Sequence, residues 1–270
     1  MIGDITIGQY FPGNSIIHRL DARMKMVLIF VVMVSIFFCQ NYFSMGLAAF
    51  LVIGTVLLSR INLKVILKGM KPIIFIVIIT TLLNLFYGTG EPIFRLGIIR
   101  ITQSGLNNAI FMALRILLLV VSGLMLTYTT TPTQLTDAIE SLLKPLTVFK
   151  FDIHSLAMTM TIALRFIPIL IEEVEKIMAA QKSRGADMES GGLIKRVKGI
   201  IPVLIPLFIS SFRRANELAD AMECRCYRGG EGRTKMNVNH LVLRDYIALC
   251  LVIAYCAGIV LLKIYTQRVI

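Results

Sequence analysis

Five apolar runs alternate with shorter polar stretches along most of this chain. Each run is broadly able to cross about 30 Å of hydrocarbon as a helix, so the pattern predicts five transmembrane helices. The runs are Met24–Cys39, Phe43–Leu58, Pro72–Phe86, Ala109–Leu126 and Tyr246–Leu262. Hydrophobic residues make up 56% of the 270 positions and charged residues only 16%, which is the composition of an integral membrane protein.

The stretch from Thr129 to His240 interrupts this pattern and predicts three long amphipathic helices. Thr131, Pro132 and Gln134 form the signature of a helix start, with Thr131 as the N-cap and Gln134 closing a capping box. An apolar stripe then follows at helical spacing, and Pro145 bends or ends the helix. The stripe consists of Leu135, Ile139, Leu142 and Leu146.

Two longer helices are predicted after it, from about Ile153 to Arg184 and from about Ile194 to Cys226. Their second halves are too polar to span lipid, and their first halves are too apolar to be solvated on all sides. We therefore expect them to lie along the cytoplasmic membrane face. Prolines inside these helices are candidate bend points, because each deletes an internal hydrogen bond. They are Pro168, Pro202 and Pro206.

The chain carries 28 Lys and Arg against 16 Asp and Glu, a net charge of +12. The sign would suit a nucleic-acid partner, but the basic residues cluster in stretches between apolar runs, as the positive-inside rule requires of a membrane protein. The rule places the amino-terminal segment and residues 129–240 in the cytoplasm. Five spans counted from a cytoplasmic amino end place the carboxyl end outside, although the basic residues Lys263 and Arg268 argue against that orientation of the last span.

We therefore predict an all-α integral membrane protein with about five transmembrane helices and three long amphipathic cytoplasmic helices. Its predicted parts are a cytoplasmic amino-terminal segment (1–23), transmembrane helices one to four (24–128), a cytoplasmic helical region (129–240) and the last transmembrane helix with the carboxyl terminus (241–270). The five cysteines fall in apolar runs or on the cytoplasmic side, so no disulfide framework is predicted.

The sequence offers little for catalysis. It holds no Gly-x4-Gly-Lys-Ser/Thr phosphate loop, no His-Glu-x2-His metal helix and no Gly-x-Ser-x-Gly nucleophile elbow. The three histidines are far apart in the sequence, at His18, His154 and His240. Cys224 and Cys226 have ligand chemistry, but Arg225 between them repels cations, so small packing residues are the simpler interpretation. We predict no catalytic residue, no metal site and no cofactor.

Arg115 lies within the fourth apolar run. An ionisable residue at membrane depth is a candidate functional site, here part of a substrate path. The alternative is a structural role, in which the side chain snorkels to the interface or pairs with Asn107 or Asn108.

Two short sequences end the second and third amphipathic helices, Lys182-Ser183-Arg184-Gly185 and Cys224-Arg225-Cys226-Tyr227. Their arginines are 41 positions apart (225 − 184), and the preceding turns correspond on the same offset, so the chain builds one charged tip twice. The plain interpretation is a cationic helix end that faces the macrodipole or anionic lipid headgroups. The repeat favours docking of two similar partners, because a guanidinium can bond carboxylates or helix-end carbonyls bidentately.

These tips resemble the paired Ala-Arg-Gly motifs that end the coupling helices of the transmembrane T component of energy-coupling factor (ECF) transporters. Other stretches, covering nearly the whole chain in the same order, resemble that family too. They are Gly8–Ser15, His18–Lys25, Thr130–Pro132, Leu164–Pro168 and Tyr227–Thr234.

The resemblance implies a scaffold without catalytic residues, in the cytoplasmic membrane of a prokaryote. Such a protein joins two cytosolic ATP-binding-cassette ATPases to a small membrane S component, which captures a vitamin or a transition-metal ion. The length and the amino-terminal motif resemble the shared module that serves interchangeable S components. The implied docking residues are Ser183, Arg184 and Gly185 on one tip and Cys224, Arg225 and Cys226 on the other.

The chain departs from the family motif at three positions. Ser183 and Cys224 stand where the family has alanine, and both are small. Cys226 stands where the second motif has glycine, so the helix either ends there without a glycine cap or continues to Gly229.

The implied mechanism is mechanical, because closure of the ATPases on ATP would change the crossing of the two tip helices beneath the S component. Two rival functions are a self-sufficient secondary transporter, with Arg115 and the interrupted helices as its substrate path, and a conventional ABC permease. A membrane-embedded enzyme is disfavoured because no paired acids and no histidine cluster face the bilayer.

Overall fold

The computed structural model describes residues 10–86, 92–96, 99–149, 151–186, 192–229 and 241–269. These ranges contain eight α-helices, which are α1 (Ala22–Phe38), α2 (Tyr42–Ser59), α3 (Leu63–Phe86), α4 (Gln103–Thr129), α5 (Pro132–Leu143), α6 (Ile153–Ser183), α7 (Leu193–Cys224) and α8 (Leu243–Val269). A 3₁₀ helix, Lys144–Phe149, follows α5. Strands β1 (Pro92–Leu96) and β2 (Ile99–Thr102) pair antiparallel between α3 and α4. The predicted all-α membrane class is confirmed, and the short hairpin is an addition that the sequence did not predict.

The chain divides into two compact units. The bundle unit contains α1 to α4, the hairpin and α8, and is drawn from Gly8–Ala138 and Val238–Ile270. The lever unit contains α6 and α7 and is drawn mostly from Ile139–Asn237.

Within the described ranges, five helices are long and apolar enough to cross a membrane. They are Tyr42–Ser59, Leu63–Leu85, Gln103–Thr129, Ile153–Ser183 and Leu243–Tyr265. Four of them overlap predicted spans. The remaining one is α6, whose apolar first half gives it the composition of a span. The predicted first span, α1, has 17 residues and is therefore about 26 Å long, at the short end for a transmembrane helix.

The third predicted span begins earlier than its apolar run indicates. α3 starts at Leu63 and continues through Pro72, where the sequence pattern predicts the beginning of the span. Ile66 in its first turns is buried in one cluster with Met125 and Tyr128 of α4. Packing against α4 therefore keeps a lysine-rich segment helical, although its periodicity is weak.

The core of the bundle unit is the seam between α1, α2, α4 and α8. Ile36 and Cys39 at the end of α1 are fully buried, and they pack in one cluster with Ala48 of α2 and Leu118 of α4. The hydroxyl of Ser35 donates to the Tyr255 hydroxyl oxygen at 3.0 Å, which ties α1 to α8. This apolar seam, closed by a hydrogen bond, holds the four helices in one register.

A polar junction joins the ends of α1, α4 and α8. Lys25 is only 3% exposed, and its Nζ donates to the backbone oxygen of Thr129, 2.9 Å away at the end of α4. Asp245, 2% exposed in the first turn of α8, accepts from the backbone N–H groups of Asp21 at 2.9 Å and Val242 at 2.8 Å. The ammonium faces a helix carboxyl end and the carboxylate lies at a helix amino end, which suits both helix dipoles. Buried charges are tolerated when they are bonded in this way.

The segment before α1 packs on the end of α4. The Phe11 backbone N–H donates to the Tyr128 carbonyl at 3.0 Å, and the two rings meet edge to face at 5.4 Å. His18 Nε2 lies 3.0 Å from the Phe11 carbonyl, and Nδ1 lies 2.7 Å from the Ser15 hydroxyl. Burial lowers the pKa of His18, an effect opposed by the bond to the Phe11 carbonyl and reinforced by the Lys25 ammonium. A neutral imidazole with its proton on Nε2 satisfies both contacts, because it donates to Phe11 and accepts from Ser15.

Arg115 has a structural role in the bundle, but its predicted partners are wrong. Its Nη2 donates to the carbonyl of Cys39 at 2.8 Å, and its guanidinium lies 5.6 Å from the centre of the Phe111 ring. Arg115 on α4 therefore satisfies a carbonyl at the end of α1, which otherwise has no intrahelical donor.

Candidate functional site: the paired helix tips

The helix that precedes α6 and α7 in the chain, α5, begins with a capping box. The Thr131 N–H donates to Gln134 Oε1 at 3.2 Å, and the Gln134 N–H donates to Thr131 Oγ1 at 3.3 Å. α5 then ends at Leu143, and Pro145 lies in the 3₁₀ helix that follows. Both features confirm the sequence prediction for this helix.

α6 and α7 are matching helices. They contain 31 and 32 residues, and a shift of 41 positions places α6 on Ile194–Cys224, which is α7 without its first residue. Their observed starts and ends lie within two residues of the predicted ones. The helices therefore repeat one another over their whole length, although the sequence showed the repeat only in the last turns.

The three candidate bend points lie inside these helices. Pro168 falls within α6, and Pro202 and Pro206 fall within α7. Both helices continue through their prolines, so each proline removes one internal hydrogen bond from an otherwise regular helix.

The first tip ends in a Schellman cap. After Arg184, the Ala186 N–H donates to the Gln181 carbonyl at 3.0 Å, and the Gly185 N–H donates to the Lys182 carbonyl at 3.1 Å. Gly185 has a φ of +83°, the left-handed conformation that this cap requires.

The second tip repeats the same cap. The Tyr227 N–H donates to the Met222 carbonyl at 3.0 Å, and the Cys226 N–H donates to the Glu223 carbonyl at 2.8 Å. Cys226 adopts a φ of +57° where the first tip has glycine. The alternative of a helix continuing to Gly229 is therefore wrong, because the cap closes at Cys226 despite the missing glycine.

All six predicted docking residues lie at these two caps, and each is exposed. Arg184 and Arg225 are the C-cap residues, with φ and ψ of −84° and 6° in one and −91° and 13° in the other. In the part of the chain that the structure describes, neither guanidinium has a side-chain partner. The two tips therefore present the same backbone shape and an arginine at the same position.

The two helices cross antiparallel. Glu173 on α6 bonds Arg214 on α7, with 2.9 Å between Oε2 and Nη2, and the Ser210 hydroxyl lies 3.3 Å from Glu173 Oε1. Further along α6, Gln181 Nε2 donates to the carbonyl of Pro202 at 3.2 Å. Since higher numbers on α6 meet lower numbers on α7, Arg184 and Arg225 end opposite arms of the crossing. Sequence reasoning missed this contact, although Glu173 and Arg214 are also separated by 41 positions.

The tips differ in charge. Residues 175–186 carry three bases and one acid, a net +2, whereas the equivalent residues 216–227 carry one base and three acids, a net −2. The charged residues of the first tip are Glu175, Lys176, Lys182 and Arg184, and those of the second are Glu217, Asp220, Glu223 and Arg225. All of these side chains are exposed. Two partners that fit the same backbone cap would thus meet opposite electrostatic surroundings.

An apolar stripe runs along the first two thirds of α7. Its members recur at helical spacing, and all of them are exposed large hydrophobic side chains. They are Ile194, Ile201, Ile205, Phe208 and Phe212. An exposed apolar stripe of this kind marks a surface that contacts lipid or another protein.

The fold and these tips define a class of protein, a multi-pass membrane protein that presents two capped, arginine-ended helices. The family described as CbiQ, cobalt transport protein, matches residues 13–236. A relative from Ruminiclostridium cellulolyticum is 50% identical over 263 residues, which is 97% of this chain and 98% of that protein. One from Clostridium kluyveri is 48% identical over 262 residues (96% and 97%), and one from Bacillus subtilis is 47% identical over 236 residues (87% and 89%).

All three relatives are named energy-coupling factor transporter transmembrane protein EcfT. The chain belongs to this family of energy-coupling factor transporter transmembrane components, and the resemblance seen in its motifs is confirmed.

Proposed function

We propose that this protein is the energy-coupling scaffold of an ECF-type importer. It joins two cytosolic ATPases to a small membrane S component, which captures a vitamin or another micronutrient. The observation that carries this proposal is the pair of matched helix tips, each with an exposed arginine at the same position of the same cap. Membership of the family supports it.

The ATPases dock on the tips. Arg184 and Arg225 each project from a helix end whose backbone shape is fixed by the Schellman cap. The planar guanidinium is itself pre-organised, so it loses little entropy for each hydrogen bond that it forms when it binds in a partner's groove. Because the caps are alike, the two ATPases offer grooves of the same shape.

The opposite charges of the tips select different ATPase grooves. The α6 tip, with its net charge of +2, fits a groove with an acidic rim, and the α7 tip, with its net charge of −2, fits a basic one. The scaffold therefore favours two non-identical ATPases and one orientation of the pair.

The S component docks on the apolar stripe of α7. The S component is a membrane protein with an apolar surface of its own. Packing Ile205, Phe208 and Phe212 against that surface removes these side chains from water or headgroups. The amino-terminal segment and the tips face the cytoplasm, as the distribution of basic residues indicates. Closure of the ATPases on ATP moves the two tips, with Pro168, Pro202 and Pro206 as bend points, and this motion reorients the S component.

Reversing the charge of both arginines tests the proposal. In the native complex, purified through a tag on this chain, Arg184→Glu combined with Arg225→Glu should lose both ATPases. Truncating one partner of a buried, bonded charge pair costs about 2 to 5 kcal/mol. Each single variant should reduce recovery less than the double variant.

Arg213→Glu is the matched control, because it reverses an exposed arginine of α7 that lies away from the tips. It should leave ATPase recovery unchanged. Normal recovery of both ATPases with the double variant would overturn the docking role. Solute transport by the purified chain alone in liposomes would instead support a secondary transporter.

A further inference from the structure

The contact between Glu173 and Arg214 joins equivalent positions of the two matching helices. The offset between them is 41 residues (214 − 173), the same offset that superimposes the caps and the helix bounds. When two equivalent elements pack about a twofold axis, only residues on the axis contact their own equivalents. Glu173 and Arg214 therefore lie close to a local twofold axis between α6 and α7.

The residue types at this axis suit such a contact. Identical charged residues would repel one another where a twofold axis brings equivalents together. Here Glu172 and Glu173 on α6 correspond to Arg213 and Arg214 on α7, so the repeat has opposite charges at the crossing, where Glu173 and Arg214 meet. Ser210 adds a second polar contact to Glu173.

The axis divides the helix pair into two equal arms. Arg184 lies 11 residues beyond Glu173, and Arg225 lies 11 residues beyond Arg214. At 1.5 Å per residue each arm is about 16 Å long, and the arms point in opposite directions. Equal and opposite rotations of the two helices about this contact would displace the two tips by the same amount.

We propose that Glu173 and Arg214 form the pivot of the crossed helices and are positioning residues that set where the two arginine tips stand relative to each other. The side chains are 24% and 38% exposed, so the pair contributes little to overall stability. Its contribution is to fix the register of the two helices, which Ser210 and the bond from Gln181 to Pro202 support. The consequence for energy coupling rests on the proposed function, whereas the pivot itself does not.

Distance measurement between the tips tests the pivot directly. Spin labels are placed on the equivalent positions 183 and 224 of the full chain in lipid nanodiscs, using Ser183→Cys and the native Cys224 with the other cysteines replaced. The unaltered pair should give one narrow distance distribution. Glu173→Arg or Arg214→Glu places like charges at the crossing and should broaden the distribution about twofold or more, because repulsion replaces the attraction between two contacting side chains.

Two further variants separate the pivot from a general charge effect. The exchanged pair, Glu173→Arg with Arg214→Glu, should restore the narrow distribution. Glu172→Arg makes the same change on an exposed neighbour and should leave the distribution narrow. Unchanged width in the single axis variants, equal broadening by Glu172→Arg, or no recovery in the exchanged pair would each overturn the pivot.

The native complex distinguishes failure of the pivot from failure of the proposed function. Glu173→Arg should retain both ATPases on the tagged chain while lowering ATP turnover of the complex about fivefold, with recovery in the exchanged pair. Loss of ATPases through Arg184→Glu with Arg225→Glu tests docking alone. If docking fails that test, the distance measurements still decide the pivot.

Discussion

Single residues set a close contact between two helices and the shape of the tips. Gly69 on α3 faces Tyr128 on α4, where a β-carbon would overlap the tyrosine hydroxyl. Cys226 holds a left-handed conformation that glycine adopts at the equivalent Gly185. The sequence showed Cys226 as a departure from the family motif, but the role of Gly69 depends on a contact between distant segments that no local pattern encodes.

Replacing Gly69 with alanine tests the contact between α3 and α4. Tyr128 is fully buried and cannot move aside freely, so Gly69→Ala should lower the free energy of unfolding by about 1–3 kcal/mol through overpacking. Gly46→Ala in α2 is the matched control, because nothing lies within 4 Å of a β-carbon there. The control should be neutral or raise stability by up to about 1 kcal/mol. Thermal unfolding of both variants in one detergent compares them, and equal shifts would contradict the packing account.

Substitutions at the equivalent positions Cys226 and Gly185 should have opposite effects on the stability of their tips. Cys226→Gly should stabilise the α7 tip by about 1 kcal/mol, since glycine adopts a positive φ without a steric cost. Gly185→Ala should destabilise the α6 tip by a similar amount. Amide hydrogen exchange at each tip measures local opening. Faster exchange in Cys226→Gly would show that Cys226 is not strained.

At the scale of elements, local signals and long-range contacts were predictable to different degrees. The capping box at Thr131 and the ends of α6 follow from neighbouring residues, and the structure reproduces them. The early start of α3 and the bond from Arg115 to Cys39 depend on segments far apart in sequence. Periodicity carries no information about such contacts, so sequence reasoning placed the start of α3 too late and gave Arg115 other partners. The hairpin before α4 pairs neighbouring residues, but its two short strands fall outside the apolar runs on which the prediction was built.

The junction of α1, α4 and α8 provides the prediction at this scale. Lys25→Met leaves the Thr129 carbonyl without its donor and removes the positive charge that interacts with Asp21 and Asp245. We expect a loss of about 2–4 kcal/mol in unfolding free energy. Lys64→Met, at an exposed lysine of α3, should change stability by less than about 0.5 kcal/mol. Similar melting temperatures for the two variants would show that the junction is not a stabilising contact.

At the scale of the whole molecule, the chain combines a helical bundle with a pair of crossed levers. The bundle unit has an apolar core closed by polar bonds at its helix ends, whereas the lever unit has matched, exposed tips and an exposed apolar stripe. These properties suit a scaffold, because the exposed tips and the exposed apolar stripe are surfaces suited to binding partners. The 41-residue repeat was readable in the sequence at the tips, and the structure extends it to both whole helices and to the contact at their crossing.

Photo-crosslinking from the tips of the native complex tests the central claim most directly. A benzophenone amino acid is placed at position 183 or at position 224, with an equivalent label at the exposed Phe75 of α3 as the control. The account predicts that each tip links to an ATPase, that the two tips link to different subunits, and that Phe75 links to none. Crosslinks from both tips only to lipid, to an S component or to a second copy of this chain would contradict it.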